Sequence, residues 1–324
     1  MIVPSYWAEA KTSLKVKNRS ITLRRFGWSN SSPADAEAQA QLRVAEAAQL
    51  AMSGQTVKRR ELKLTYNGAQ GIPIREEVLS RHDDAVITRN IYGARCLNVP
   101  DMLIADVDFD SRPDWRLRLA SDVLAMLVAG LLIVTGRSWQ TTIAGIGVLI
   151  FVRPLLSKLL HRLAGLLESA PVRARRQLDE FIARHADWRL RVYRTPAGLR
   201  VIATHARFSP TSDAARAFFQ AVGTDPVYAQ MCLNQHCFRA RLSAKPWRAG
   251  ITDHVKPRPG VWPIRVERMP DRAAWVARYE QAAAAFSACR YETTLGAGKE
   301  DASLATLVAL HDSECAALET RPLA

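Results

Sequence analysis

The sequence predicts an α+β protein, one mixed-sheet domain interrupted by an apolar two-helix hairpin. Three observations lead there. Alternating segments and amphipathic segments are interleaved along most of the 324 residues, as sheet and helix sharing one core require. Two apolar runs, 123–134 and 143–152, flank a tight polar turn, Arg137-Ser138-Trp139-Gln140. Segments on both sides of those runs read as strands of the same sheet. The expected divisions are 1–114 and 163–324 for the two parts of the α+β domain and 115–162 for the insertion.

Composition sets the frame. With 48% hydrophobic and 23% charged residues the chain has the make-up of a folded protein rather than a disordered one. Its net charge of +14 points to a polyanionic partner: nucleic acid, nucleotide phosphate or anionic lipid. An Arg- and Ala-rich composition is equally expected of a GC-rich bacterial genome. The five cysteines (Cys96, Cys232, Cys237, Cys289, Cys315) are odd in number and scattered, so no disulfide framework is implied and a reducing cytosolic face fits best. The first residues lack a basic region followed by an apolar stretch, which argues against a secretory signal.

The elements follow in order. Residues 6–27 read as a hairpin: Leu14-Lys15-Val16 alternates, Lys17-Asn18-Arg19 turns and Ile21-Thr22-Leu23 returns. Ser32-Pro33 supplies a cap and a first-turn proline for an Ala-rich helix over 33–53. Strands are expected near 60–66, 86–90, 94–98 and 102–108. Beyond the hairpin, 172–188 reads as a basic amphipathic helix with Leu178, Phe181 and Ile182 on one face. A strand–turn–strand covers 190–205 around Thr195-Pro196-Ala197-Gly198. Helices at 211–222 and 225–234, strands at 238–242 and 261–266, and helices at 271–288 and 301–319 complete the chain.

The apolar runs are shorter than the ~20 residues that cross a bilayer, and their flanks decide the reading. Asp122 and Arg153 lie at similar depths from the turn and can pair near one end of a two-helix hairpin. Arg116, Arg118, Lys158, His161 and Arg162 gather at that end, followed by Arg173, Arg175 and Arg176, whereas the turn has only Arg137. This asymmetry places both termini in the cytoplasm of a bacterial inner-membrane protein. Trp115 and Trp139 fall near the two interfaces, and Ala125, Ala129, Gly130, Gly145 and Gly147 allow close helix contact. A buried or oligomerising helical hairpin is the alternative.

Three clusters carry chemistry. In Leu103-Ile104-Ala105-Asp106-Val107-Asp108-Phe109-Asp110, the carboxylates of Asp106 and Asp108 share one side of a strand, a spacing suited to Mg²⁺ or Mn²⁺. Asp110 is an accessory, and a solvated strand end is the alternative. Arg194 and Arg200 flank the Pro/Gly turn and suit a phosphate, or are surface arginines of an ordinary turn. Arg239 and Arg241 share a strand face, with Lys245 and Arg248 just beyond, a row suited to a phosphate backbone or triphosphate or simply solvated. Cys232, His236 and Cys237 form an incomplete zinc pattern. His311-Asp312 reads as a pair on a helix surface.

Taken in sequence, these motifs resemble the catalytic palm of archaeo-eukaryotic primases and primase-polymerases over about 86–268. Asp106 and Asp108 stand at the family's D-x-D, 172–187 at its helix, and Gly198-Leu199-Arg200 where Gly-x-His is expected. The resemblance implies metal-dependent nucleotidyl transfer, with Arg239, Arg241 and Lys245 facing nucleotide phosphate and Asp253 or Glu267 as the third carboxylate. The chain departs from the pattern at Arg200, in the third carboxylate and in the hairpin. Stretches such as Ile87-Thr88-Arg89-Asn90-Ile91-Tyr92-Gly93 and Arg239-Ala240-Arg241-Leu242 also resemble a family of bacterial membrane proteins, a likeness that implies no activity. The expected function is a membrane-tethered nucleotide- or nucleic-acid-binding protein, with phosphoryl or nucleotidyl transfer as its enzymatic form. Its rivals are a non-catalytic membrane protein whose basic face meets anionic lipid or a partner, and a nucleic-acid-binding module without chemistry.

Overall fold

The computed structural model describes residues 3–16, 19–61, 73–109, 115–136, 138–258, 260 and 262–324, with backbone alone at 115–118 and 161–167. The chain divides into a discontinuous unit, Met1–Val107 with Phe181–Ala324, and a second unit, Asp108–Glu180. The fold class is α+β with several antiparallel pairings and two long apolar helices.

In the first unit, β1 (Tyr6–Val16) and β2 (Arg19–Ser29) pair antiparallel along their full length. Helix α1 (Pro33–Met52) packs across them. Its start is built as the sequence predicts: the Ser32 side chain accepts from Asp35 N at 3.1 Å, and Pro33 occupies the first turn. Its buried face consists of Ala36, Ala40, Val44, Ala47 and Ala51, a helical spacing of small residues. Small side chains bring the helix backbone close to the hairpin. A Cβ at Gly27 would overlap the Ala36 carbonyl and the Ala40 backbone.

The next strands are β3 (Glu77–His82), β4 (Ala85–Arg89), β5 (Arg95–Val99) and β6 (Ile104–Asp108). The second unit follows with α2 (Trp115–Gly136), α3 (Trp139–Gly147), a π-helical turn over Val148–Val152, α4 (Arg153–Leu167) and most of α5 (Ala170–Arg184). The first unit resumes with β7 (Leu190–Arg194), β8 (Gly198–Ala203), α6 (Asp213–Ala221), α7 (Pro226–Gln235), β9 (Phe238–Arg241), α8 (Met269–Ala283), β10 (Arg290–Leu295) and α9 (Ala305–Glu314).

The single expected sheet is corrected to two four-stranded sheets, ordered β3-β4-β5-β9 and β10-β7-β8-β6, besides the β1-β2 hairpin. The switch falls at residues 100–103, where Pro100 lacks the N–H that would continue the ladder beyond β5. Each four-stranded sheet still takes strands from both sides of the apolar segment.

Strands β3 and β10 have no counterpart in the sequence reading. Both carry a register shift, at Val78/Ser80 and at Tyr291/Thr293, which breaks the two-residue alternation that marks a strand. The expected strand over 261–266 does not form: Pro263 interrupts it, and Val266–Arg268 is a short 3₁₀ turn. The expected strand near 60–66, the turn at Lys17-Asn18, Asp110, Arg137 and Val261 lie in whole or in large part outside the described residues. The expected C-terminal helix is shorter, a 3₁₀ turn at Ala302–Leu304 followed by α9.

In the second unit, Asp122 and Arg153 form the pair that their matched depths predict. Arg153 Nε lies 2.6 Å from Asp122 Oδ1 and Nη2 lies 2.9 Å from Oδ2, so both charges meet in a two-pronged bridge. Ala125 and Ala129 are buried, and a Cβ at Gly145 would lie 3.1 Å from the Ala129 carbonyl, so these residues form the close approach. Gly130 and Gly147 face open space instead. Spans of 18 residues (Leu119–Gly136) and 22 residues (Trp139–Leu160) are long and apolar enough to cross a membrane, and their apolar side chains are largely exposed.

Gly27→Ala is expected to lower stability by about 1–3 kcal/mol through overpacking. Urea titration in detergent checks this. Gly130→Ala, a substitution into open space within α2, serves as the control that does not lower the midpoint.

Candidate functional site

Arg200 lies in the middle of β8, opposite Tyr193 of β7. Its side chain is 1% exposed, an uncommon position for a permanent cation. Its Nε and Nη1 both have partners. Nε lies 3.0 Å from Asp106 Oδ1, and Nη1 donates to the Arg241 carbonyl at 2.9 Å. Nη1 also lies 3.3 Å from His311 Nε2. Burial works against the charge, but the Asp106 carboxylate beside it holds the guanidinium pKa well above the usual arginine value.

This bridge joins the two four-stranded sheets, because Asp106 and Arg200 belong to one and Arg241 to the other. Tyr228 of α7 makes a second link. Its hydroxyl donates to the Ile104 carbonyl at 2.9 Å and accepts from Arg239 N at 3.3 Å. The start of α7 is itself tied to β6, since Asp225 N donates to the Asp106 carbonyl at 2.9 Å.

On β9, Arg239 and Arg241 alternate onto one face, as the strand spacing predicts. They line a cavity of ≈ 80 Å³ together with Arg75, Glu76, Asp106 and Gln235. The two arginines differ in their partners. Arg239 is ion-paired with Glu76, whose Oε2 also accepts from Thr88 Oγ1 at 2.7 Å. The Arg241 guanidinium makes no hydrogen bond or ion pair with a described residue, and its Nε is buried without an acceptor. Arg75 is in the same position. It is 6% exposed, its Nε has no acceptor among the described residues, and its guanidinium stacks 3.7 Å above the Phe26 ring. Burial pulls the Arg75 pKa below the ordinary arginine value, with Glu61 and Glu9 opposing.

The sequence-predicted residues therefore divide. Asp106, Arg239 and Arg241 converge on one cavity, and Arg200 lies behind it, paired with Asp106. Arg200 is corrected from a phosphate-facing residue to an internal brace, because its Nε and Nη1 are engaged within the protein and its side chain is almost wholly buried. Asp108 is the exposed last residue of β6. Arg194 ends β7 opposite Arg290, and Lys245 Nζ lies 5.5 Å over the Trp247 ring; neither lines the cavity. Asp253 is held by Arg278 at 2.6 Å, and Glu267 is in the 3₁₀ turn, so neither stands beside Asp106 as a third carboxylate.

The zinc pattern at Cys232, His236 and Cys237 does not assemble. The two thiols are buried, but His236 is exposed at the left-handed C-cap of α7. His311 and Asp312 are corrected from surface residues to core residues, 0% and 6% exposed. Among the described residues, one grouping brings three His, Cys, Asp or Glu donors within 4.8 Å of one another, and it is Cys289, His311 and Cys315.

Sequence reasoning missed Arg75 and Glu76, which precede β3 in a stretch with no strand signal. It also missed the convergence of Cys289 with α9, although the four-residue spacing of His311 and Cys315 was visible. Comparison with protein-family models, curated proteins and solved structures returns no match.

Asp106→Asn strips the partner from a buried cation and is expected to cost about 3–5 kcal/mol. Asp106→Leu combined with Arg200→Met should recover part of that loss, since no buried charge then remains. Chemical denaturation of the two variants beside the parent decides it.

Proposed function

We propose that this protein is a membrane-tethered binder of phosphate-bearing ligands, a nucleotide or a nucleic acid, with the phosphate held at the Arg75–Arg239–Arg241 cavity. The observation that carries the reading is the pair of recessed arginines, Arg75 and Arg241, whose Nε atoms are buried without an acceptor among the described residues. A buried donor without an acceptor is costly. A phosphate oxygen supplies the missing partner in a charge-assisted bond, with the planar fork suited to two oxygens at once. The acidic residues of the cavity do not cancel this charge, because Glu76 serves Arg239 and Asp106 serves Arg200.

The space, ≈ 80 Å³, corresponds to the liquid volume of about three waters. It takes the phosphate end of a ligand, with sugar and base outside. A planar lipid headgroup surface reaches exposed cations more readily than recessed ones, which favours a soluble ligand over the lipid-facing rival.

The Mg²⁺ or Mn²⁺ site implied by the primase-like resemblance is not part of this proposal. Asp106 carries Arg200, and among the described residues no three-donor grouping includes Asp106 or Asp108.

The tether is α2 with the continuous α3–α4 segment, placed across a bacterial inner membrane with both termini cytoplasmic. Exposed apolar surface along both spans and the neutralised Asp122–Arg153 pair support it.

Two measurements test the proposal. Arg75→Met and Arg241→Met should each weaken binding of pyrophosphate or ATP by about 10- to 100-fold, the equivalent of one charge-assisted bond of about 1.5–3 kcal/mol. Calorimetry on the detergent-solubilised chain reads this, and affinity unchanged in both variants rejects the site. For the tether, all five native cysteines are buried, so an introduced thiol reports its own location. Gln140→Cys should react with an impermeant maleimide on cells with a permeabilised outer membrane, and Glu319→Cys only after lysis. Equal labelling of the two positions contradicts the arrangement.

A further inference from the structure

We infer that Cys289, His311 and Cys315 form a binding site for a thiophilic divalent metal ion, Zn²⁺ by the chemistry of its donors. The site is independent of the phosphate cavity: either reading can fail without the other. Two soft sulfurs and one imidazole nitrogen are a zinc donor set, and hard cations such as Mg²⁺ are poorly served by it.

The geometry is close to what zinc requires. Cys289 Sγ lies 3.9 Å from His311 Nε2, and all three donor atoms fall within 4.8 Å of one another. Tetrahedral coordination with Zn–S of about 2.3 Å and Zn–N of about 2.0–2.1 Å places neighbouring donors roughly 3.5–3.8 Å apart. Closing on an ion therefore takes a movement of a few tenths of an ångström to about one.

The backbone already holds the donors together. His311 and Cys315 stand four residues apart on one face of α9 and its C-cap. Cys289 is held against that end of the helix because Ala288 N donates to the Cys315 carbonyl at 3.0 Å. Ser287 Oγ donates to the Ala316 carbonyl at 2.8 Å, and Tyr291 N to the Ala317 carbonyl at 2.9 Å. All three donor side chains are buried.

The surroundings match those of a metal-bound histidine. His311 Nδ1 lies 3.0 Å from Asp312 Oδ1, and Asp312 Oδ2 accepts from Arg191 Nη2 at 2.6 Å. A carboxylate on Nδ1 sets the tautomer that leaves the Nε2 lone pair for the ion and orients the ring. Charge also balances. Two thiolates neutralise a doubly charged ion, and any thiol or imidazolium proton still present leaves to solvent on binding. The neighbouring charges are already paired, Arg200 with Asp106 and Arg191 with Asp312.

Arg200 is the one group that must yield. Its Nη1 now contacts His311 Nε2 at 3.3 Å, and on metal binding it keeps the Arg241 carbonyl at 2.9 Å and faces Cys315 Sγ, 3.9 Å away. There it serves as an N–H donor to a metal-bound thiolate. The Arg241 carbonyl oxygen, 3.6 Å from Cys315 Sγ, is a candidate for the fourth position. The ion would thus brace the sheet junction rather than catalyse, since no ligand position opens to solvent.

The test uses the full chain purified in detergent under reducing conditions. Elemental analysis should find one Zn²⁺ per chain. Co²⁺ substitution should produce tetrahedral d–d bands and a sulfur-to-cobalt charge-transfer band. Cys289→Ser and Cys315→Ser, which preserve side-chain volume, should each remove intensity from the charge-transfer band. Asp312→Asn should weaken Co²⁺ binding by about 10- to 100-fold with the bands retained. A metal-free parent that gains no cobalt bands overturns the proposal without reference to any variant. So does a charge-transfer band that survives both serine substitutions together, or a Cys289–Cys315 disulfide as the resting state of the purified chain.

Discussion

Arg200 carries a charge that cannot be shed into a space that water does not reach, and the first unit is organised around that constraint. The chain meets it with the Asp106 carboxylate on the neighbouring strand and with the Arg241 carbonyl on the other sheet. Removing either acceptor would leave a buried donor unmatched, and the desolvation cost of such a group exceeds that of most single packing defects. One side chain thus sets the spacing of β8 and β6 to β9. It also fixes the strand face on which Arg239 and Arg241 present themselves to the cavity. A lysine would not substitute, because a single ammonium lacks the fork that reaches acceptors in two sheets.

The brace and the cavity are two sides of one wall. Asp106 lines the cavity while holding Arg200, and Arg241 contributes its carbonyl to the brace and its guanidinium to the cavity. Behind the brace lie His311, Cys315 and Cys289, within reach of the same guanidinium. The wall therefore has a guanidinium-lined side, where Arg75 Nε and Arg241 Nε have no acceptor among the described residues, and a buried sulfur- and imidazole-lined side. Those environments select opposite ligands. A recessed guanidinium suits an anion, whereas two cysteine sulfurs and an imidazole in a dry pocket suit a soft cation.

The second unit obeys a different constraint. Its helices bury small residues where they meet, Ala125, Ala129 and Gly145, and leave large apolar ones outside. In water that arrangement exposes more apolar surface than a soluble domain tolerates. Within hydrocarbon it is the favourable one, since close backbone approach rather than apolar burial drives helix association there. In the Asp122–Arg153 bridge each charge lowers the other's cost of leaving water.

How much of this was legible in the sequence follows from the range of each interaction. Local chemistry was readable: the Ser32-Pro33 start of α1, the two apolar helices, the matched depths of Asp122 and Arg153, and the shared face of Arg239 and Arg241 all depend on spacings within one or two elements. Strands β3 and β10 were not readable, because a bulge in each erases the alternation that marks a strand. The division into two sheets depends on which strand edges pair, and short strands of similar composition do not encode that choice locally. Arg200 shows the difference most clearly. Its sequence neighbourhood, a Pro/Gly turn with arginines, reads as an exposed phosphate loop, yet its partners come from 94 residues before it and 41 after it. The sequence by itself determined which elements form and where charge is stored along the chain. Only the tertiary structure decided which of those charges are consumed in pairs and which have no partner among the described residues, because pairing depends on distances between strands far apart in the chain.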